Sequence, residues 1–268
     1  MNPLMITEYE KEGVICAEGY LEATKRKIFV YLVDGMLVDT GPKRMEPDFT
    51  SFYDKHSFDK VVLTHSHEDH SGTASWIQTN RDVPIYMHEN GIALCAKPGN
   101  YPEYRQHSWG VRDAFDALPL RDTIRSRNLT WDVIYTPGHA DDHVALLHKE
   151  TGRVFTGDLF VQTKTKISMN TESIPQIMES IRTLLSYDIS SMYCSHSGYF
   201  ENGRETLQKK LDYLEELSAT VERLYREGKS PEAIANQLFP KNYPIIARSE
   251  REWHPIHLIN SILAPVKI

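Results

Sequence analysis

Residues 64–72 read Thr64-His65-Ser66-His67-Glu68-Asp69-His70-Ser71-Gly72, and the fold turns on this stretch. It leaves a run of apolar and β-branched residues, Lys60–Thr64, and enters a segment, Thr73–Gln78, that reads as a helix start. His65 and His67 stand two apart, so in an extended chain both imidazoles leave the same side and one metal ion can take both. Asp69 and His70 fall in the turn beyond, where the backbone can aim them at a neighbouring metal. Imidazoles and a carboxylate packed this closely are costly to bury without ligands, because each polar group needs a partner. The segment therefore points to a metal site.

Working outward, three more positions close predicted strands. Thr136-Pro137-Gly138-His139 sets a histidine after a Pro-Gly turn, Phe155-Thr156-Gly157-Asp158 sets a carboxylate after a glycine, and Tyr193-Cys194-Ser195-His196-Ser197-Gly198 supplies another histidine. Upstream, Asp39 lies in Val38-Asp39-Thr40-Gly41. A lone histidine at a strand end is more often packing or surface, but the recurrence shifts the balance toward ligands.

In this order the motifs resemble the metallo-β-lactamase superfamily, over roughly residues 15–200. The resemblance implies an α/β (α+β) fold, a four-layer αββα sandwich, here with a helical C-terminal subdomain. It implies one metal held by His65, His67 and His139, a second held by Asp69, His70 and His196, and Asp158 bridging the two. Asp69 and Asp158 are then the carboxylates at the chemistry, and Asp39 is the buried carboxylate that supports the histidine loop. Two divalent metal ions are expected as cofactors, zinc first, with iron or manganese accepted by the same nitrogen and oxygen donors. Such metals lower the pKa of bound water and make hydroxide available near neutral pH.

The implied activity is a metal-dependent hydrolase, with a metal-bound hydroxide cleaving a small ester, thioester or lactone. The alternatives are a ribonuclease or phosphodiesterase on the same dinuclear site, or a mononuclear-iron persulfide dioxygenase using His65, His139 and Asp158. Glutamate does not replace His67 as in the flavin-linked diiron members, and cysteine does not replace Asp158 as in many secreted lactamases.

Composition narrows the choice. The chain has 268 residues, 40% hydrophobic and 25% charged, with a formal net charge of −7. That is ample for a globular core, and it disfavours broad attraction to a phosphate backbone without removing nucleic acid from the alternatives. Cys16, Cys95 and Cys194 are too scattered for a disulfide framework or a zinc knuckle. Cys194 reads as packed on its strand. The stretch MNPLMITEYEKEG turns acidic before a signal-length apolar segment develops, and no run of 18 apolar residues exists. A cytoplasmic protein acting on a small-molecule substrate, with no membrane partner, is expected; a homo-oligomer is compatible with the sequence.

Two units are expected: a catalytic one at 1–202 and a helical one at 203–268 that caps the active-site rim. Lys27–Val33 and Met36–Val38 flank Asp34-Gly35, a strong hairpin signal. Further strands are expected at Pro84–Met87, Thr130–Tyr135, His143–Leu147, Arg153–Thr156 and Ile189–Cys194. Ser173–Leu185 carries an amphipathic helical pattern with Pro175 in its first turn, and Leu207, Leu211, Leu214, Leu217, Val221 and Leu224 form a second helical stripe. Ser230-Pro231 caps a third helix, and Pro255–Leu263 forms a last one. Residues 89–128 are aperiodic and read as a loop-and-helix insertion covering a pocket. Tyr101, Tyr104, Trp109 and Tyr199 are candidates to line it, and Arg121, Arg125 and Arg127 form a small basic patch. His88, His107, His143 and His148 have no metal role in this reading.

Overall fold

A computed structural model describes residues 6–22 and 25–264. Residues 1–5, 23–24 and 265–268 lie outside it, including the start of the stretch read for a leader segment. The first sheet runs in order β1 (Ile6–Lys11), β2 (Val14–Leu21), β3 (Arg26–Val33), β4 (Met36–Val38), β5 (Lys60–Val62), β6 (Ile85–Met87), β7 (Leu118–Pro119). The second sheet has β8 (Thr123–Arg125), β9 (Thr130–Tyr135), β10 (Val144–His148), β11 (Arg153–Gly157), β13 (Met192–Cys194) and β14 (Gly198–Phe200), with β8 and β14 at its edges. A separate short pair joins β12 (Ser168–Met169) to β15 (Trp253–His254). Helices α1 (Glu46–Lys55), α2 (Glu68–Ser71), α3 (Ala74–Arg81), α4 (Glu89–Cys95) and α5 (Glu103–Trp109) belong to the first half. The second half carries α6 (Ile174–Leu185), α7 (Gly203–Arg226), α8 (Pro231–Leu238), α9 (Pro244–Arg248) and α10 (Pro255–Leu263).

Side-chain alternation explains the layering. Along β3, Ile28, Val30 and Leu32 point into a core shared with α1 and α3, while Phe29, Tyr31 and Val33 point into a core between the sheets. Along β10, Ala145 and Leu147 face α6 and α7 while Leu146 faces the first sheet. The central strands β3, β4 and β10 are buried on both faces, which is why they read as continuous apolar runs rather than alternating ones. Helix, sheet, sheet and helix form four layers, as the sequence implied. The Tyr31 hydroxyl donates to Cys194 O across the middle core at 2.6 Å.

The C-terminal helices share their core with the second sheet. Leu207, Leu211, Leu214 and Val221 of α7 pack with Ile177 and Ile181 of α6, Met192 of β13, and Ile256 and Ile259 of α10. No helix among the described residues is long and apolar enough to cross a membrane.

The Asp34-Gly35 hairpin forms as expected, with Val33 opposite Met36 and positive φ at both turn residues. Asp34 also accepts hydrogen bonds from Ser126 Oγ at 2.6 Å and from the backbone N–H of Asn128 and Leu129. Burial opposes its charge, but these bonds outweigh it and hold the carboxyl at about 2 against an ordinary 3.8. A lowered carboxyl pKa contributes stability that is complete above the unfolded value and disappears as pH falls through the folded one. Asp34→Asn should therefore flatten the loss of stability between about pH 4 and pH 2 in urea titrations. An unchanged acid limb would count against the link.

Candidate metal centre

The candidate ligands gather where strand ends of both sheets meet. Asp39 follows β4, the 64–70 segment follows β5, His139 follows β9, Asp158 follows β11 and His196 follows β13. Backbone bonds tie the two sheets together here: Val144 N–H donates to Thr64 O at 2.8 Å, and Phe29 N–H to Ser195 O at 2.8 Å. Gly157 has φ +49, and a Cβ on it would come within 2.5 Å of His143 Nε2, so the turn that delivers Asp158 requires glycine.

All seven residues named from the sequence are brought together. Ligand atoms of His65, His67 and His139 lie within 4.8 Å of one another, as do those of Asp69, His70 and His196. Asp158 sits between the two groups. Its Oδ1 is 3.5 Å from His70 Nε2, and its Oδ2 is 3.6 Å from His139 Nε2 and 3.2 Å from His196 Nε2.

The hydrogen bonds on the far side of each ring fix what the near side can do. His139 Nδ1–H donates to Glu172 Oε1 at 2.6 Å, His70 Nδ1–H to Asp39 Oδ2 at 2.8 Å, and His196 Nδ1–H to Lys27 O at 2.8 Å. His65 Nδ1 lies 3.1 Å from Thr64 Oγ1, whose own proton goes to Asp39. With Nδ1 protonated in this way, each neutral ring turns an Nε2 lone pair inward. His65 Nε2 and His139 Nε2 then both face His67 Nδ1 at 3.0 Å. One proton on His67 cannot satisfy two acceptors, whereas a cation satisfies all three. His70 Nε2 and Asp158 Oδ1 are buried with no hydrogen-bond partner among the described residues, as metal-binding atoms would be. The residues present fit divalent metal ions.

Electrostatics follow the same division. Burial and neighbouring imidazoles push His65 and His67 well below the ordinary histidine pKa. Burial also opposes charge on His196, but Asp158 and Asp69 overcome it and lift that ring to about 10, so the two carboxylates draw positive charge to this spot, a proton that a bound cation would displace. For Asp69 and Asp158 burial works upward, and the adjacent imidazoles bring both carboxyls well below their usual range.

Asp39 is the hub behind the cluster. It is 1% exposed, has φ +60, and accepts from Thr64 N–H at 2.8 Å, Thr64 Oγ, His70 Nδ1 and Ser195 Oγ. A left-handed aspartate is strained by about 1–3 kcal/mol, offset here by four donors.

Sequence reasoning missed three groups. Glu172 carries no motif, yet it fixes the His139 tautomer and also accepts from Met169 N–H at 3.1 Å. Glu172→Gln should weaken metal binding about 10–100-fold, read by chelator competition; unchanged affinity would make Glu172 mere packing. Glu68, within the motif, pairs bidentately with Arg105 of α5 at 2.6 and 2.7 Å. Lys210 of α7 is the third.

Over the cluster lies a cavity of about 350 Å³, bounded by Tyr104, Arg105 and Trp109 of the insertion, by Lys210, Ile245 and Arg248 of the C-terminal helices, and by Trp253 of β15. Tyr101 does not reach it, bonding instead to Gly110 O. Tyr199 lies away from it beside Glu12, and Arg127 pairs with Asp59. His143 holds the turn of Asp158, accepting its backbone N–H at 3.0 Å, and burial takes its pKa down to about 3. Cys194 is buried, its thiol pushed up to about 12.

The chain is similar to known proteins along most of its length. The "Probable metallo-hydrolase YqjP" of Bacillus subtilis is 23% identical over 264 residues, covering 81% of this chain and 82% of that protein. An atrochrysone carboxyl ACP thioesterase of Aspergillus fumigatus is 26% identical over 196 residues, covering 72% of this chain and 56% of that protein. A solved beta-lactamase domain protein from Burkholderia ambifaria superposes with a TM-score of 0.76 at 18% identity, over 96% of this chain and 87% of that one. The sequence profile of the metallo-beta-lactamase superfamily matches residues 23–216, a span that takes in the second sheet, the first sheet from β3 onward and every residue of the cluster. The chain belongs to the metallo-beta-lactamase superfamily.

Proposed function

We propose that the protein is a dinuclear metal hydrolase that cleaves small thioesters or esters. The observation that carries this reading is the convergence of anchored imidazole lone pairs on two ionised carboxylates at the floor of a cavity. In it, His65, His67 and His139 would hold one metal ion and Asp69, His70 and His196 the other, with Asp158 available to either group. When bound, such ions polarise a carbonyl and supply a water nucleophile near neutral pH. The protein's own part is orientation. Asp39 and Glu172 keep His70 and His139 in the binding tautomer, and the low pKa of Asp69 and Asp158 keeps them ionised. Trp109, whose ring lies 6.3 Å from that of His196, adds an apolar wall beside the floor.

An acyl group suits the cavity better than a nucleic-acid strand. Ile167, Met169, Ile177, Ile245 and Trp253 line it, matching the mostly apolar walls of small-molecule sites. A relative of this chain is named as a thioesterase acting on an acyl carrier protein, which supports the same substrate class. The test combines elemental analysis after metal reconstitution with rates on thioesters, lactones, esters and a phosphodiester, and oxygen uptake with a persulfide. About two metal equivalents and fastest turnover of a thioester or ester are expected. Less than about half an equivalent, or a phosphodiester or persulfide as the fastest substrate, would overturn the reading.

A further inference from the structure

The buried face of α7 is a leucine stripe broken by Lys210, which is 5% exposed. Its neighbour Lys209 is exposed and pairs with Glu205. Lys210 instead lines the cavity, with its ammonium 5.5 Å from the centre of the Phe160 ring. It has no hydrogen-bond or ion-pair partner among the described residues. Burial lowers its pKa, with Glu172 and Asp158 nearby opposing the shift.

The carboxylates lining the cavity are already engaged. Glu68 is taken by Arg105, Glu172 by His139 and Met169 N–H, and Asp69 and Asp158 by His196. Two other cations of the wall, the half-buried Arg26 and the exposed Arg248, also lack a carboxylate partner among the described residues. The cavity thus offers one inner ammonium and two outer guanidiniums with no counterion of their own.

We propose that Lys210 binds a carboxylate on the acyl part of the substrate, so that the preferred substrates are thioesters or esters of acids with a second, terminal carboxylate. This rests on the hydrolase reading above. Removing an ammonium from water is costly, and here folding has already done so. A ligand carboxylate therefore gains a charge-assisted bond in an apolar wall without that penalty. A neutral acyl chain leaves the ammonium unpaired, the situation in which polar sites discriminate most strongly. A compact ammonium on one lysine matches one carboxylate; a phosphate is better served by several donors or a guanidinium fork.

The test compares the full metal-loaded chain with Lys210→Met, which keeps the stem and removes the charge. Its substrates are the glutaryl and pentanoyl thioesters of N-acetylcysteamine. The unsubstituted protein should prefer the glutaryl thioester, and Lys210→Met should lower the glutaryl-to-pentanoyl ratio of kcat/KM about thirtyfold. Lys210→Arg should retain much of the preference. Lys210→Gln replaces the methionine variant if that one fails to fold. A second arm needs no turnover: calorimetric binding of 5-oxohexanoate, a ketone analogue of the glutaryl group, should weaken at least about tenfold in Lys210→Met. No glutaryl preference in the unsubstituted protein, an unchanged ratio, or 5-oxohexanoate binding that ignores Lys210 would overturn the proposal. If neither these thioesters nor the matching esters are cleaved while 5-oxohexanoate binding still depends on Lys210, the hydrolase reading fails and the carboxylate site stands.

Discussion

Asp158→Asn is expected to lower kcat/KM on the best ester or thioester by at least about 10³-fold while leaving the fold intact. The substitution preserves shape and removes only charge. Among the described residues Asp158 is the one carboxylate within 3.6 Å of histidine nitrogens from both ligand groups, so its charge serves both proposed metals. Loss of metal-borne charge stabilisation is worth several kcal/mol, and about 4 kcal/mol corresponds to about a thousandfold in rate. Elemental analysis should show the metal content falling below that of the unsubstituted protein, with a circular dichroism spectrum that does not change. An Asp158→Asn protein retaining activity within about tenfold would remove Asp158 from the chemistry.

The second large effect concerns stability. Arg105→Met should strip the partner from Glu68, a carboxylate 2% exposed that burial pushes upward in pKa and Arg105 pulls back down. Breaking a buried pair from one side costs about 3–5 kcal/mol, because a charge is left without compensation. For a domain of this size that is a fall in Tm of roughly 6–20 °C. Removing both charges in Glu68→Gln/Arg105→Met should recover much of the loss, since the pair's attraction and its desolvation nearly cancel. Calorimetry on the full double-mutant cycle reads the coupling. Additive single effects would show that the pair acts as two unrelated surface charges.

The strand ends and the ligand cluster were legible because each ligand follows a short apolar run, and local order in sequence becomes local order in space. His65, His67 and His70 fall close together by chain connectivity alone. The hairpin at Asp34-Gly35, the helix over Ser173–Leu185 and the stripe on α7 carry strong local signals of turn chemistry or periodicity. The gaps have a common physical source. Strands β1 and β2 were not delimited, because Glu8, Glu10 and Glu18 interrupt their apolar pattern and their pairing is set by partners along β3. Helix α1, with Pro47 in its first turn, was not anticipated among the turn residues after Gly41. The aperiodic 89–128 segment reads as a loop-and-helix insertion without bounds; its helices are α4 and α5, and the edge strand it adds to each sheet is ordered by contacts that no local window contains. Glu172, Arg105 and Lys210 were missed for the same reason. Their roles depend on residues 33, 37 and more positions away, and nothing in their immediate neighbours distinguishes them from solvated charges.

The wall of the cavity is drawn from segments outside the ligand-bearing strand ends: residue 26, residues 104–109, residues 161–177, residue 210 and residues 244–253. The chemistry and the choice of substrate are therefore encoded in largely separate parts of the chain. Exchange of the 103–109 helix or the 244–253 return between relatives can retune what enters without disturbing the atoms that react. The Arg105 bridge sets the limit on that freedom, because it fastens the insertion both to Glu68 and, at 3.4 Å, to Glu252 of the return. Those two segments are coupled through one guanidinium, and a chimera that swaps one should fail where a chimera that swaps both succeeds.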